Sequence, residues 1–464
     1  MEASTTTGAP RRTLPSSAAY WLAAGVIGLG LFASLTPSPL YRSYSVLWHF
    51  SPLTLTLIYA TYAFGVLAAL LLAGGISDNV GRRPVLLVAL GGLMASTTLF
   101  LLADSSTWLF VARGLQGLAT GLALSAASAA LLDLHPRRDP VGVSLTNGAS
   151  AAAGLGLGIL VSSSLVQIGW EPRLLPYLVL LALIAIAFVG AYLMPEPVAN
   201  RSRLRLTVER PHVPASVRRP FVLAALAALS SWSIGALFFS LGPQLAGHLF
   251  GTTNAIVAAL GAVALSAAAA VSQLVVGRKP PWITAGAGSV ALAAGISMIA
   301  LAAATGSSAL YLAGSLVGGA GFGAAYLGGL RALVAQLPPE HRATVLSAFF
   351  VVAYASLSIP AILAGVVVSY IPLESTFEIF GSVVAVLALV VAFEAWRTRP
   401  DAERHTHRKE DALGPASSAA SRPGGLRDLR SGLHGLLGRR IAVRRHLLEL
   451  PPGLHGSAAG HRAR

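Results

Sequence analysis

Gly74-Gly75-Ile76-Ser77-Asp78-Asn79-Val80-Gly81-Arg82-Arg83-Pro84 stands between two long apolar runs, 52–74 and 84–103. Each run has the ~20 residues that a helix needs to cross a hydrocarbon core of roughly 30 Å. The charged stretch between them is therefore a short loop at one face of a membrane. Outward from this loop the same alternation continues, with apolar runs at 17–38, 52–74, 84–103, 107–132, 141–164, 174–194, 220–243, 253–276, 282–304, 308–335, 343–370 and 376–396. Lipid offers no partner to backbone amides, so these twelve runs must be helices. A closed barrel would show short segments of alternating polarity, not runs such as Leu178 to Val189.

Composition points the same way. Of the 464 residues, 55% are hydrophobic and 11% are charged, whereas a soluble chain carries about 25% charged residues. The absence of cysteine removes disulfide frameworks, thiolate catalysis and Cys-ligated metals. No P-loop and no H-E-x-x-H pattern occurs, so the expectation is a chain that is not an enzyme, uses no cofactor and holds no metal.

The net charge of +15 is explained by topology. Arg11, Arg12, Arg82, Arg83, Arg137, Arg138, Arg201, Arg203, Arg205, Arg210, Arg218, Arg219, Arg278, Lys279, Arg331 and Arg342 all fall on one set of connections. Only Arg42 and Arg173 fall on the other, and Arg113 lies inside a span. The positive-inside rule makes the first set cytoplasmic, together with both termini. A multi-pass protein of the inner (plasma) membrane is expected, in contact with membrane lipids and not with nucleic acid. The first run is long enough to span and is followed by eleven more, unlike a cleavable signal.

The polar loop 195–219 divides the body into 1–194 and 220–396, six spans each, followed by a basic tail, 397–464, with no spanning run. The tail's composition reads as disordered, although its Arg439-Arg440 and Arg444-Arg445 pairs could lie on an anionic leaflet. Three short echoes link the halves. Gly81-Arg82-Arg83-Pro84 returns as Gly277-Arg278-Lys279-Pro280, Ser34-Leu35-Thr36-Pro37 as Ser240-Leu241-Gly242-Pro243, and Asp133-Leu134-His135-Pro136 as Gln336-Leu337-Pro338-Pro339. Their shared order and equivalent positions argue for a duplicated six-helix unit.

The loop from Gly74 to Pro84 fits the G-x-x-x-D-x-x-G-R-R signature, and the chain resembles the major facilitator superfamily of secondary transporters, in its drug-efflux-like bacterial branch. The resemblance implies an all-α membrane protein whose twelve transmembrane helices form two pseudo-symmetric six-helix bundles and work by alternating access. It also implies that Gly74, Asp78, Gly81, Arg82 and Arg83 form a conformational gate. The residues have their own logic: the Asp78 carboxylate can face a helix N-terminus or an arginine, and Gly81 permits a tight reversal. Arg113-Gly114-Leu115-Gln116-Gly117 in span 4 is similar to the family's R-x-x-Q-G element. That likeness implies a role for Arg113, Gln116 and Gly117 in coupling or substrate attraction; the alternative is that Arg113 snorkels to the headgroups. Span 5, with Gly148, Gly154, Gly156 and Gly158, resembles the glycine-rich element of the antiporter branch, but Leu155 stands where that element has a proline. Close helix packing is the alternative use of these glycines.

Proton coupling requires a titratable group in the pathway. Glu378, Asp133 and Asp104 are the candidates, although each lies near a span end. Candidate lining residues for a small-molecule substrate are Tyr59, Tyr62, Phe64, Ser230, Ser231, Trp232, Phe238, Phe239 and Tyr326. The uncharged interior favours a neutral, amphipathic or weakly anionic solute. The expectation is a monomeric efflux transporter, with metabolite uptake or a non-transporting membrane sensor as the alternatives.

Overall fold

The computed structural model describes residues 13–73, 76–137, 139–198, 212–338 and 341–397. Gly74, most of the central loop and the tail after Arg397 lie outside the described residues.

The first half contains α1 (Ser16–Leu35), α2 (Tyr41–Trp48), α3 (Pro52–Ala73), α4 (Ile76–Val80), α5 (Arg82–Leu101), α6 (Ser106–Leu134), α7 (Pro140–Ile168) and α8 (Leu175–Leu193). The second contains α9 (Arg218–Ser240), α10 (Gly242–Leu249), α11 (Ala255–Val276), α12 (Pro281–Thr305), α13 (Ser308–Val334), α14 (Arg342–Val367) and α15 (Leu373–Arg397). Among the described residues, twelve helices are long and apolar enough to cross a membrane. Their ends follow local chemistry. Asp139 and Asn254 cap α7 and α11 by accepting from backbone N–H groups, and Gly169 and Gly306 end α7 and α12 at φ 80° and 69°.

The sequence reading ran the first span to residue 38 and the seventh to 243. The structure stops the long helices at Leu35 and Ser240 and adds the short helices α2 and α10 after them. Pro37 and Pro243 stand at these breaks, where the missing N–H interrupts the ladder. The duplicated break is the structural form of the echo between Ser34–Pro37 and Ser240–Pro243.

Within each half the helices pack through small residues, as expected where lipid is as apolar as the interface. Gly295 of α12 meets Gly314 and Gly318 of α13, and Gly321 and Gly328 fit against the backbones of Leu292 and Ala285. Large side chains such as Ile186, Val386 and Phe393 point outward; their exposure suits hydrocarbon rather than water. The halves meet along two seams, α3 against α14 and α7 against α11. On the first seam, Tyr62, Ala63 and Val66 pack with Tyr354, and Thr56 fills the space beside Gly365. On the second, Gly156 faces Ser266, Gly148 faces Gln273, and Gln167 Oε1 accepts from the Ala255 N–H at 3.0 Å.

Candidate functional site

At the end of the first half where α3 gives way to α5, Gly81 has φ 113°, a conformation that L side chains rarely adopt. The turn aims Arg82 inward. Its Nη1 lies 2.5 Å from Asp78 Oδ1 and 2.7 Å from Ser77 Oγ, and its Nε donates to Asp133 Oδ2 at 2.9 Å. One planar guanidinium thus joins α4, the loop and the end of α6, a three-acceptor geometry that a lysine could not reproduce. Glu196 completes the arrangement. Its two carboxylate oxygens accept from the backbone N–H groups of Arg82 and Arg83 at 2.9 and 3.0 Å. These are the first two orphan donors of α5, so an anion sits at the positive end of that helix. Arg83 lies over the Tyr192 ring at 5.0 Å. Among the described residues, every ionic partner of Arg82 belongs to the first half, so the clasp braces that half internally. The second half braces the equivalent loop differently: Arg331 of α13 donates to the carbonyls of Gly277 and Lys279.

Arg113 of α6 is fully buried and does not snorkel. Its Nε donates to Tyr41 Oη at 2.5 Å, and its Nη1 to the Ser34 carbonyl and to Gln116 Oε1, both at 2.7 Å. The rings of Tyr41, Tyr62 and Phe100 surround its Cζ at 5.4, 5.5 and 5.9 Å. None of its partners among the described residues is a carboxylate. The negative end of the interrupted α1 takes that place. Gln116 extends the same logic, because its Nε2 donates to the Ala33 carbonyl at 2.9 Å, the very carbonyl that Pro37 leaves without a helical donor. Gly117 permits the geometry: a Cβ there would overlap the Tyr62 carbonyl, so α6 could not approach α3.

The glycines of span 5 divide by face. Gly154 and Gly158, one turn apart, fit against the backbone of α1 at Gly28 and Phe32, whereas Gly148 and Gly156 face α11 across the seam between halves.

The candidate lining residues fall into two groups. Trp232 packs against Tyr326 and Tyr354 with ring centroids 5.4 and 5.0 Å apart, and Tyr354 packs on Tyr62 across the α3–α14 seam. Tyr59, Phe238 and Phe239 belong to a second cluster towards α10, where Phe238 stacks on Tyr311 at 5.8 Å. Phe64 belongs to neither group and is half exposed. The Ser230 hydroxyl donates to the Ala227 carbonyl of its own helix, and Ser231 is buried with no hydrogen-bond partner among the described residues. Among the candidate carboxylates, Asp133 is held by Arg82, Asp104 is exposed and Glu378 is half-buried near the start of α15. Among the described residues, the buried charged side chains are Arg82 and Arg113. Sequence reasoning missed Glu196, Tyr41 and Tyr354; the Pro195-Glu196-Pro197 pattern just after span 6 was the available signal for the first.

The description "Major Facilitator Superfamily" belongs to a family model that matches residues 16–359 and 276–448. The chain belongs to the major facilitator superfamily. This superfamily member is 38% identical over 142 residues to Multidrug resistance protein D of Escherichia coli K12, covering 28% of this chain and 34% of that one. It is 30% identical over 118 residues to Multidrug resistance protein MdtL of E. coli, covering 25% and 30%. The chain thus spans about a third of the length of these curated relatives. In three dimensions it resembles the human organic anion transporter MFSD10 (TETRAN), with a TM-score of 0.60, 82% of this chain and 100% of that chain covered, and 17% identity. The family match and the twelve apolar helices among the described residues make it a multi-pass protein of the inner membrane.

Proposed function

We propose that this chain exports small apolar or amphipathic organic compounds by alternating access, residues 1–194 and 220–396 rocking about the α3–α14 and α7–α11 seams. The observation that carries the reading is the aromatic group Tyr62, Tyr354, Trp232 and Tyr326, which bridges the two halves without a carboxylate among its members. Such rings offer apolar area and hydroxyl donors to neutral or weakly anionic solutes and no counter-charge to a dication. The names of the E. coli relatives agree with export. Both termini face the cytoplasm in this scheme, the Arg82 clasp sets the stiffness of the cytoplasmic end, and Glu378 and Asp133 are the carboxylates to test for proton coupling.

The test is counterflow in proteoliposomes, with and without an imposed pH gradient, across matched neutral, anionic, monocationic and dicationic aromatic amphiphiles. Exchange of the neutral and anionic members, accelerated by the gradient, is the expected result. Exchange confined to dications would refute the substrate class, and binding without exchange across the whole set would identify a sensor.

A further inference from the structure

A cavity of about 880 Å³ lies at the end of the molecule away from the Arg82 clasp and is walled by both halves: α2, the start of α3 and α7 on one side, α10 and the start of α11 on the other. Its volume is that of a site for a drug-sized ligand, typically 300–1,000 Å³. Below it the halves are tied together, because Ser38 Oγ donates to the Phe239 carbonyl at 3.1 Å.

The buried hydroxyls around this cavity divide. Ser38 donates to the Phe239 carbonyl and Ser240 to the Ala236 carbonyl. Two donate to nothing. Tyr41 accepts from Arg113 Nε through its oxygen, so its own O–H must point away from the guanidinium and has no acceptor among the described residues. Ser163 Oγ is fully buried and makes no hydrogen bond among the described residues. A helical serine readily satisfies itself on its own backbone, as Ser164 does on the Leu160 carbonyl. Ser163 forgoes this and lines the cavity, as Tyr41 does.

Charge selects the occupant. Arg42 and His248 line the cavity and no carboxylate does. His248 is exposed and engages Glu374 at 3.1 Å on its far side. Behind Tyr41 stands the buried Arg113 cation, which polarises the phenol and makes its O–H a stronger donor. Leu55, Ile159 and Val166 supply the apolar wall.

We propose that this cavity is a binding site, distinct from the aromatic group between the halves, for an amphipathic compound whose weakly anionic, hydrogen-bond-accepting head lies on Tyr41 and Ser163. The head replaces the acceptor that both hydroxyls lack, and an apolar ring lies against Leu55 and Ile159. A cationic head meets Arg42 and the field of Arg113 and gains nothing from the two donors.

The chain contains no cysteine, so Thr253→Cys places a single thiol at the cavity mouth. In nanodiscs, benzoate should slow maleimide labelling of this thiol at least threefold, and benzylamine should not. Adding Ser163→Ala should raise the benzoate concentration for half-protection about fivefold, the worth of one hydrogen bond of ~1 kcal/mol. This variant removes an unsatisfied group and retains the fold, so its result stands even where Tyr41→Phe, expected to raise it about tenfold, disturbs Arg113. Equal protection by benzylamine, no protection by benzoate, or an unchanged half-protecting concentration in Ser163→Ala would overturn the assignment. The readout requires no transport, so a failed export assay leaves it intact.

Discussion

Replacing Gly158 by alanine separates the two uses that a glycine-rich span 5 can have. A Cβ at this position would lie 2.8 Å from Phe32 Cα and 3.0 Å from its carbonyl carbon, and would overlap the carbonyl oxygen. All three atoms are backbone, so α1 itself must move. One turn on, the same crossing carries the buried bond from Ser162 Oγ to the Thr36 carbonyl at 2.5 Å, which a shift of α1 would strain. Overpacking costs about 1–3 kcal/mol and the strained hydrogen bond ~1 kcal/mol, against a helix-propensity gain of ~1 kcal/mol for Gly→Ala. The net is about 1–3 kcal/mol of destabilisation, or roughly 1–3 °C in midpoint for a chain of this size.

Two other glycines serve as controls. Gly25 has nothing within 4 Å of its would-be Cβ, so Gly25→Ala should hold or raise the midpoint. At Gly148 the obstacle is the amide end of the Gln273 side chain, which can swing aside. Gly148→Ala should therefore leave the midpoint within about 1 °C while altering the counterflow rate, because the contact lies on the seam that must open. Tryptophan fluorescence during heating in detergent, from the chain's 7 tryptophans, gives the midpoints. A Gly158→Ala protein as stable as the parent, or a Gly148→Ala protein destabilised equally, would refute the assignment of the two faces.

Asp78→Asn removes a charge whose side chain is 62% exposed, so its stability cost should stay below ~1 kcal/mol; counterflow should fall at least tenfold with substrate binding retained, and loss of binding would contradict a conformational role. Arg113→Lys cannot serve Tyr41, Ser34 and Gln116 at once, and should lower both the thermal midpoint and substrate affinity; unchanged values for both would mean that the buried fork is dispensable. Val80→Cys and Asp104→Cys in the cysteine-free chain should be labelled by an impermeant maleimide from the cytoplasmic and opposite faces respectively, and labelling of Val80→Cys from outside cells would invert the topology.

Span number and helical class were legible because apolar length is a one-dimensional property, and Arg82 with Gly81 was legible because its partners Asp78 and Ser77 lie only four and five residues before it. What was not legible depended on distant chain segments meeting. Glu196 reaches α5 from more than a hundred residues away, and α2 and α10 are eight-residue helices, too short to mark a span. The face that each glycine presents depends on which neighbour crosses there, which the sequence of span 5 alone does not contain.

Arg113 shows where a further step from the sequence was open. Its presence inside a span implies an insertion cost of at least about 2.5–3.5 kcal/mol, and the sequence alone sets a functional role against snorkelling without naming a compensating partner. The compensation is a broken helix. A proline deprives the carbonyl four residues earlier of its donor, so Pro37 exposes Ala33, and Gln116 takes that carbonyl while Arg113 takes the next one, Ser34. The same rule recurs at Pro360 inside α14: it frees the Ser356 carbonyl, which Ser233 of α9 approaches at 3.4 Å. In a bilayer a freed carbonyl must find a polar side chain from another helix. Each proline within or ending a span therefore predicts a pairing, and two of this chain's otherwise unexplained polar groups, Gln116 and Ser233, are accounted for by that constraint alone.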